Sequence, residues 1–221
     1  TYPELQDVIE KCLKWIPKIF PSARYNRSEH FWTFPKGEKL FLRYFLRPSD
    51  YWSFHGHSYP WIGWEELTTW PNDKCYKSMF SCHRSARPGI PKKVRATTNP
   101  YGVGHNWVKQ RWQLPVLPGR VVGTLIGEKR IAIHGELREN RVLLHADPDY
   151  IDRIRESARN QSELRAWLHG DWNIVAGGMF DDVWVPEKHI VPDFPLVRIP
   201  EGWRISRSYD HGQSKPFSVG W

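Results

Sequence analysis

Cysteine and methionine are scarce in this chain: three Cys and two Met in 221 residues. Cys12, Cys75 and Cys82 are odd in number and far apart, which excludes a dense disulfide framework and fits a reducing compartment. No apolar run approaches the roughly 20 residues that span a bilayer, so no membrane partner is expected. No basic stretch precedes an apolar one near Thr1, so no signal peptide is read there. Internal repeats and low-complexity tracts are missing too. So is a G-x-x-x-x-G-K-[ST] loop, the cradle in which many nucleotide-hydrolysing proteins hold phosphates. His55 and His57 could share one strand face, and Cys75, Cys82 and His83 lie close in sequence. Neither set has the ligand spacing of a zinc site, so exposed histidines and buried thiols are the simpler reading.

Positive charge and aromatic rings are plentiful. Lysine and arginine exceed aspartate and glutamate by 32 to 24, giving a formal charge of +8 and a pI near 9.4. That balance favours polyanionic partners, nucleic acid first. Most of the 13 tryptophans belong in cores or interfaces, and any exposed ones are able to stack on bases.

Hydrophobic spacing gives a first outline of the fold. Thr1 and Glu4 form a capping-box pattern ahead of a helix through Leu5, Val8, Ile9, Cys12, Leu13 and Ile16, which Pro17 is expected to end. Lys39 to Leu46, Tyr59 to Trp64 and Lys92 to Thr98 read as strands, the last stopping at an Asn99-Pro100-Tyr101-Gly102 turn. Alternation of strands with helical or irregular stretches predicts an α/β layer fold with a mainly parallel sheet. Further on, Arg130 to Ile133 and Val142 to His145 read as short strands. Asp149 to Ser157 and Ser162 to His169 read as helices, the second capped by Ser162. Pro186, Pro192, Pro195 and Pro200 mark a connector. Trp203 to Tyr209 reads as a strand ending at Asp210, and a further strand begins at Phe217.

In parallel sheets ligands gather beyond the carboxyl ends of the strands, where Glu65, Glu66 and Asn99 are expected. An apolar strand ending in two adjacent acids suits magnesium and water. One carboxylate supplies a hard oxygen ligand, and the other orients or deprotonates a water that attacks a phosphate. A helix whose first turn carries acids, favoured by the helix dipole, would look the same.

Tyr59 to Thr68, reading YPWIGWEELT, resembles the Walker B segment of the large terminase subunits of tailed phages, with Glu65 where that family usually has Asp. Ser81 to Ser85 is similar to the basic segment that follows, with Arg84 matched and Cys82 in place of a second arginine. Arg95 to Pro100 resembles the family's coupling motif, continued by Gly104, His105, Trp107, Val108 and Lys109. Leu168 to Trp172, with Gly177 to Phe180, is similar to the joining segment. Arg207 to Gly212 with Pro216 and Phe217 resembles the start of the nuclease domain. These matches run in family order from about Lys39 onward. The opening Thr1 to Leu5 is similar to the stretch downstream of the family's phosphate loop.

The resemblance implies a partial P-loop ATPase domain of the ASCE type over residues 1–115, a linker over 116–200, and the first strands of an RNase H-like nuclease over 201–221. It implies ATP with Mg²⁺ for the motor and Mg²⁺ or Mn²⁺ for the nuclease. Glu66 would be the catalytic acid and Glu65 the magnesium ligand. Thr97, Thr98 and Asn99 would sense the γ-phosphate, and Arg84 would contact phosphate or a neighbouring subunit. Asp210 would be the first nuclease metal ligand. Arg43 and Arg47 are weaker candidates for an arginine acting across subunits. Asp181 and Asp182 read as a solvated loop.

The implied partners are duplex DNA, a portal protein, a small terminase subunit and further copies in a ring, in the host cytoplasm during virion assembly. The phosphate loop is expected upstream of Thr1 and further nuclease acids beyond Trp221, leaving the residues as given inactive or nearly so. Two other readings stand beside this one. The first is a non-enzymatic DNA-binding protein using the basic face Arg84, Arg87, Lys92, Lys93 and Arg95, a stretch that equally suits a merely solvated surface. The second is a P-loop helicase or translocase outside packaging.

Overall fold

A computed structural model describes residues 2–116, 119–123, 128–174, 186–189, 202–204, 206, 208–210 and 218–220. The chain divides into two units, Thr1–Asp182 and Val183–Trp221.

In the first unit, helix α1 (Tyr2–Ile19) lays Leu5 and Ile9 against Trp32 and Leu42. Pro17 sits inside this helix and does not end it. Its missing N–H forfeits one bond close to the C-terminus, and the last turn still closes through Phe20 N–H to the Ile16 carbonyl at 2.8 Å. The expected cap Thr1 lies outside the described residues. Strands β1 (Arg24–Asn26), β2 (Phe31–Thr33) and β3 (Lys39–Phe41) form an antiparallel sheet in the order β1-β2-β3. The strand read from Lys39 to Leu46 stops at Phe41, with one further bond from Leu42 N–H to the His30 carbonyl at 2.8 Å, and at its far end the Asp50 carboxylate accepts the Leu46 and Arg47 N–H groups at 2.8 and 2.9 Å and turns the chain.

The larger core gathers around β4 (Trp61–Trp64), α2 (Lys74–Ser78), β5 (Lys93–Ala96) and α3 (His105–Trp112). Strands β4 and β5 are parallel, with Trp61 opposite Lys93 and Trp64 opposite Ala96. Alternation sends Ile62, Trp64 and Val94 into the core, while Trp61, Lys93 and Arg95 are exposed on the other face. Leu67, Cys82 and Val108 are almost wholly buried here, each removing apolar area worth roughly 25 cal/mol per Å² from water.

Beyond this core lie an antiparallel hairpin of β6 (Val121–Gly123) and β7 (Lys129–Ile131), then helices α4 (Arg141–Ala146), α5 (Tyr150–Ser157) and α6 (Gln161–His169). The expected strand at Val142 to His145 is therefore helix. A short apolar run does not separate the two conformations, and the Asn140 side chain, accepting the Leu143 N–H at 3.2 Å, starts a helix. Helix α6 is capped by Asn160, which accepts the Glu163 N–H at 2.8 Å, and not by Ser162.

The second unit contains α7 (Pro186–His189) and an antiparallel pair, β8 (Ser208–Asp210) with β9 (Ser218–Gly220). Among the described residues the architecture is mixed α/β with small sheets, one parallel pair and no closed barrel. The mainly parallel sheet expected from the strand pattern is thus reduced to that pair. No described helix is long and apolar enough to cross a membrane.

Candidate functional site at the ends of the parallel strands

The in-register parallel pairing of β4 and β5 brings their carboxyl ends together. Residues 65–68 leave one strand and residues 97–99 leave the other. Backbone bonds continue past the strands, from Thr97 N–H to the Trp64 carbonyl at 2.9 Å and from Leu67 N–H to the Thr97 carbonyl at 3.0 Å.

Side chains then cross the gap. The Thr97 hydroxyl donates to the Glu65 carboxylate. The Asn99 amide reaches both oxygens of Glu66 at 3.5 Å, long and weak contacts. Both carboxylates are exposed. Glu66 has a left-handed backbone, φ 46° and ψ 60°. For a residue with a Cβ this costs about 1 kcal/mol or more. Thr69 helps hold it, donating both its N–H and its hydroxyl to the Glu66 carbonyl at 2.9 and 2.7 Å.

Beneath the carboxylates lies a knot of polar groups centred on Thr68, which is 1% exposed. Its N–H donates to the Thr98 hydroxyl at 2.9 Å and its own hydroxyl to the Asn99 carbonyl at 2.7 Å. The Thr98 hydroxyl contacts that of Thr68 at 3.0 Å. The Thr68 carbonyl accepts the Gly104 N–H at 2.8 Å. This approach requires glycine: a Cβ at Gly102 would stand 2.7 Å from the Thr68 carbonyl oxygen, and one at Gly104 would stand 2.6 Å from the Trp107 indole nitrogen. The buried His105 ring shares a hydrogen bond with the Pro100 carbonyl at 2.7 Å and stacks on Trp172.

Glu65, Glu66, Thr97, Thr98 and Asn99 are therefore brought together. Arg84 is not bonded to them. Its guanidinium donates to the Ser58 hydroxyl at 3.1 Å and the Gly56 carbonyl at 3.0 Å, anchoring the loop before β4. Arg43 donates to the Glu29 and Leu42 carbonyls. Arg47 lies exposed beside a cleft of about 610 Å³ that Arg43 also lines. Asp210 ends β8 in the second unit. Asp181, Asp182 and the stretch Gly177 to Phe180 fall outside the described residues.

Lys11 on α1 has its pKa raised, first by its hydrogen bond to Asp7, then by the charge of Asp7 and, in smaller part, of Glu65.

The donor set suits one kind of metal binding and not another. Two exposed carboxylates match magnesium held by one or two acids together with water and substrate phosphates. Among the described residues no group of three or more His, Cys, Asp or Glu could hold a metal by itself. His55 and His57 lie after a 3-10 turn and not on a strand. His55 shares a hydrogen bond with the Tyr51 hydroxyl at 2.7 Å, and His57 stacks on Tyr59. Cys75 and Cys82 are buried free thiols.

Thr68 closes the YPWIGWEELT segment, and nothing within that segment marks it as central. Its signal was the pair of nearby glycines, Gly102 and Gly104. No protein-family model matches the chain, and no curated protein or solved structure matches it.

Proposed function

We propose that this chain is part of a large terminase subunit, an ATP-driven motor that moves viral duplex DNA into a capsid and cuts it with a metal-dependent nuclease. The observation that supports this reading best is the cross-strand cluster, in which Thr97 bonds Glu65 and Asn99 reaches Glu66. Two acids at one strand end beside polar sensors at the next suit phosphoryl transfer, where catalysis is positioning and charge stabilisation. The ordered motif resemblances along the chain supply the rest.

In this reading Glu65 would hold Mg²⁺ of a bound Mg-ATP, which supplies the transferable phosphoryl group and charge neutralisation. Glu66 orients the attacking water and takes its proton. Asn99 lies beside the Glu66 carboxylate, close enough to orient it once substrate draws the pair together, and Thr68 and Thr98 fix Asn99. The fold is that of a P-loop ATPase followed by an RNase H-like nuclease, and the partners are DNA, a portal, a small subunit and further copies in a ring. Asp210 would be one nuclease ligand. A single carboxylate does not make a two-metal site, so no cleavage step is derived.

In the full-length protein, Glu66→Gln is expected to lower ATP turnover about 10²- to 10⁴-fold, the usual share of a general base, while nucleotide still binds. Turnover at the unmutated rate would remove Glu66 from this role. Asp210→Ala is expected to stop metal-dependent DNA cleavage and spare ATP turnover, and unchanged cleavage would defeat that assignment.

A non-enzymatic DNA-binding role draws support from one observation. Arg84, Arg87, Lys92, Lys93 and Arg95 are all exposed, and half-exposed Trp61 lies opposite Lys93. Salt-sensitive DNA affinity without any ATP turnover in the full-length protein would favour it.

A further inference from the structure

A second charged cluster lies away from the acidic pair, in a cleft of about 430 Å³ lined by Lys77, Phe80, Arg111, Glu128 and Arg130. Arg111 lies in the last turn of α3, Lys77 lies in α2, and Glu128 and Arg130 belong to the approach to β7 and to β7 itself. The Arg111 side chain is 10% exposed and that of Arg130 16%. The Arg111 guanidinium lies over the rings of Tyr76, Phe80 and Trp112 at 4.9, 5.3 and 5.7 Å. Arg130 donates to the Arg111 carbonyl at 2.9 Å and to Glu128 at 2.5 Å, while Arg111 reaches Glu128 at 3.4 Å.

The cluster is out of balance. Two largely buried guanidiniums share one carboxylate, since Lys77 is already paired with Asp73 at 2.6 Å. A positive charge is left over where water is mostly excluded, a costly arrangement without an anion. The donors are also underused. The Nε atoms of both arginines are buried without a hydrogen-bond partner. Buried donors are nearly always paired, so two unpaired ones side by side mark an unusual site. The rings stabilise Arg111 as a cation without accepting its N–H groups in the plane of the fork.

We propose that this cleft is a binding site for a tetrahedral oxyanion of the phosphate class. The guanidinium groups of Arg111 and Arg130 that line the cleft bind its oxygens, and Lys77 adds charge at the rim. Arginine forks match phosphate geometry. The same chemistry could come from free phosphate or from a phosphodiester of a nucleic-acid backbone. The proposal does not rest on ATP hydrolysis at Glu66.

The test is calorimetric titration of the chain with inorganic phosphate at low salt, repeated on three variants whose folding is checked by thermal melting. The unmodified chain is expected to bind with a Kd of about 1 mM or tighter. Arg130→Gln should weaken binding roughly tenfold or more, the worth of a charge-assisted hydrogen bond, and the exposed Lys77→Gln should weaken it by less. Glu128→Gln should tighten binding, because it removes the competing carboxylate. These opposite signs separate a ligand site from a purely structural cluster, which would give destabilised variants and no change in binding. Absent phosphate binding, or Glu128→Gln and Arg130→Gln shifting it in the same direction, overturns the proposal. A short DNA duplex that displaces phosphate, with affinity lowered by Arg130→Gln, identifies the backbone as the source. Phosphate binding that DNA leaves untouched identifies a free anion.

Discussion

The two charged corners of the larger core are built in opposite ways. At the strand ends the carboxylates of Glu65 and Glu66 are exposed, and the polar groups beneath them are buried and bonded to one another. In the cleft beside Phe80 the two guanidiniums themselves are largely buried, and their Nε donors are unpaired. Buried hydrogen bonds fix geometry, and exposed charge stays accessible to a ligand and to water. The first corner is thus prepared to hold reactive groups at set positions. The second holds an excess of charge that a ligand would relieve. Strain separates them further: Glu66 is kept in a left-handed conformation by Thr69, as is common at functional sites.

The strand-end corner is most sharply tested by filling the space on which it depends. Gly104→Ala places a Cβ against the Trp70 carbonyl and 2.6 Å from the Trp107 indole nitrogen. The expected loss is about 3 kcal/mol, the upper part of the usual overpacking range, seen as a lower midpoint in denaturant unfolding with little change in slope. The exposed Gly123, where an added Cβ meets nothing within 4 Å, is the control. Equal effects at the two sites would mean that the close approach at Gly104 does not set the corner.

The two corners also differ in how readily the sequence reveals them. Residues 65–68 and 97–99 are contiguous runs at the ends of apolar strands, so motif and register meet in one place. That is why the acidic pair and its polar neighbours were readable before the fold was known. Lys77 comes from α2, Phe80 from the turn after it, Arg111 from α3, and Glu128 and Arg130 from β7 and its approach, and only tertiary packing assembles them. Local competition explains the other departures. Asp50 captured the N–H groups of Leu46 and Arg47, so the run that begins at Lys39 does not end as a strand. Asn140 capped a run of Val and Leu that reads equally well as strand. Arg84 spent its donors on the loop at Gly56 and Ser58, a partner no spacing rule reveals.

Glu163 gives a reference point between the corners, being a buried charge with full partners. It is 1% exposed, takes the Arg159 guanidinium on both oxygens and accepts the Arg159 N–H at 2.8 Å. The Arg159 side-chain bond, ahead of the backbone bond, holds its carboxyl below the ordinary carboxylate range against the opposing effect of burial. On acidification the unfolded chain takes up this proton first. The stabilisation is therefore complete above the ordinary carboxylate pKa and is lost as pH falls through the lowered folded value. Glu163→Gln is expected to cost about 2 kcal/mol at neutral pH and to flatten the acid limb of the stability curve. An unchanged acid limb would mean that Arg159, itself exposed, leaves the group as solvent would.

The smallest expected effect bears most directly on the difference between the corners. Thr68→Val keeps the shape of a side chain that is 1% exposed and removes its hydroxyl. The Asn99 carbonyl and the Thr98 hydroxyl each lose a partner at that point. Stability should fall by about 1 kcal/mol, while ATP turnover in the full-length protein should fall further than so small a loss of folded protein accounts for. Thr68→Ser restores the hydroxyl and gives up a methyl group, so its stability should also fall by roughly 1 kcal/mol. If the hydrogen bonds position Asn99 against Glu66, turnover separates these two equally destabilised variants, with serine active and valine impaired. If both keep full turnover, the buried network contributes only to folding, and the strand-end corner would differ from the cationic cleft in exposure and not in preparation for chemistry.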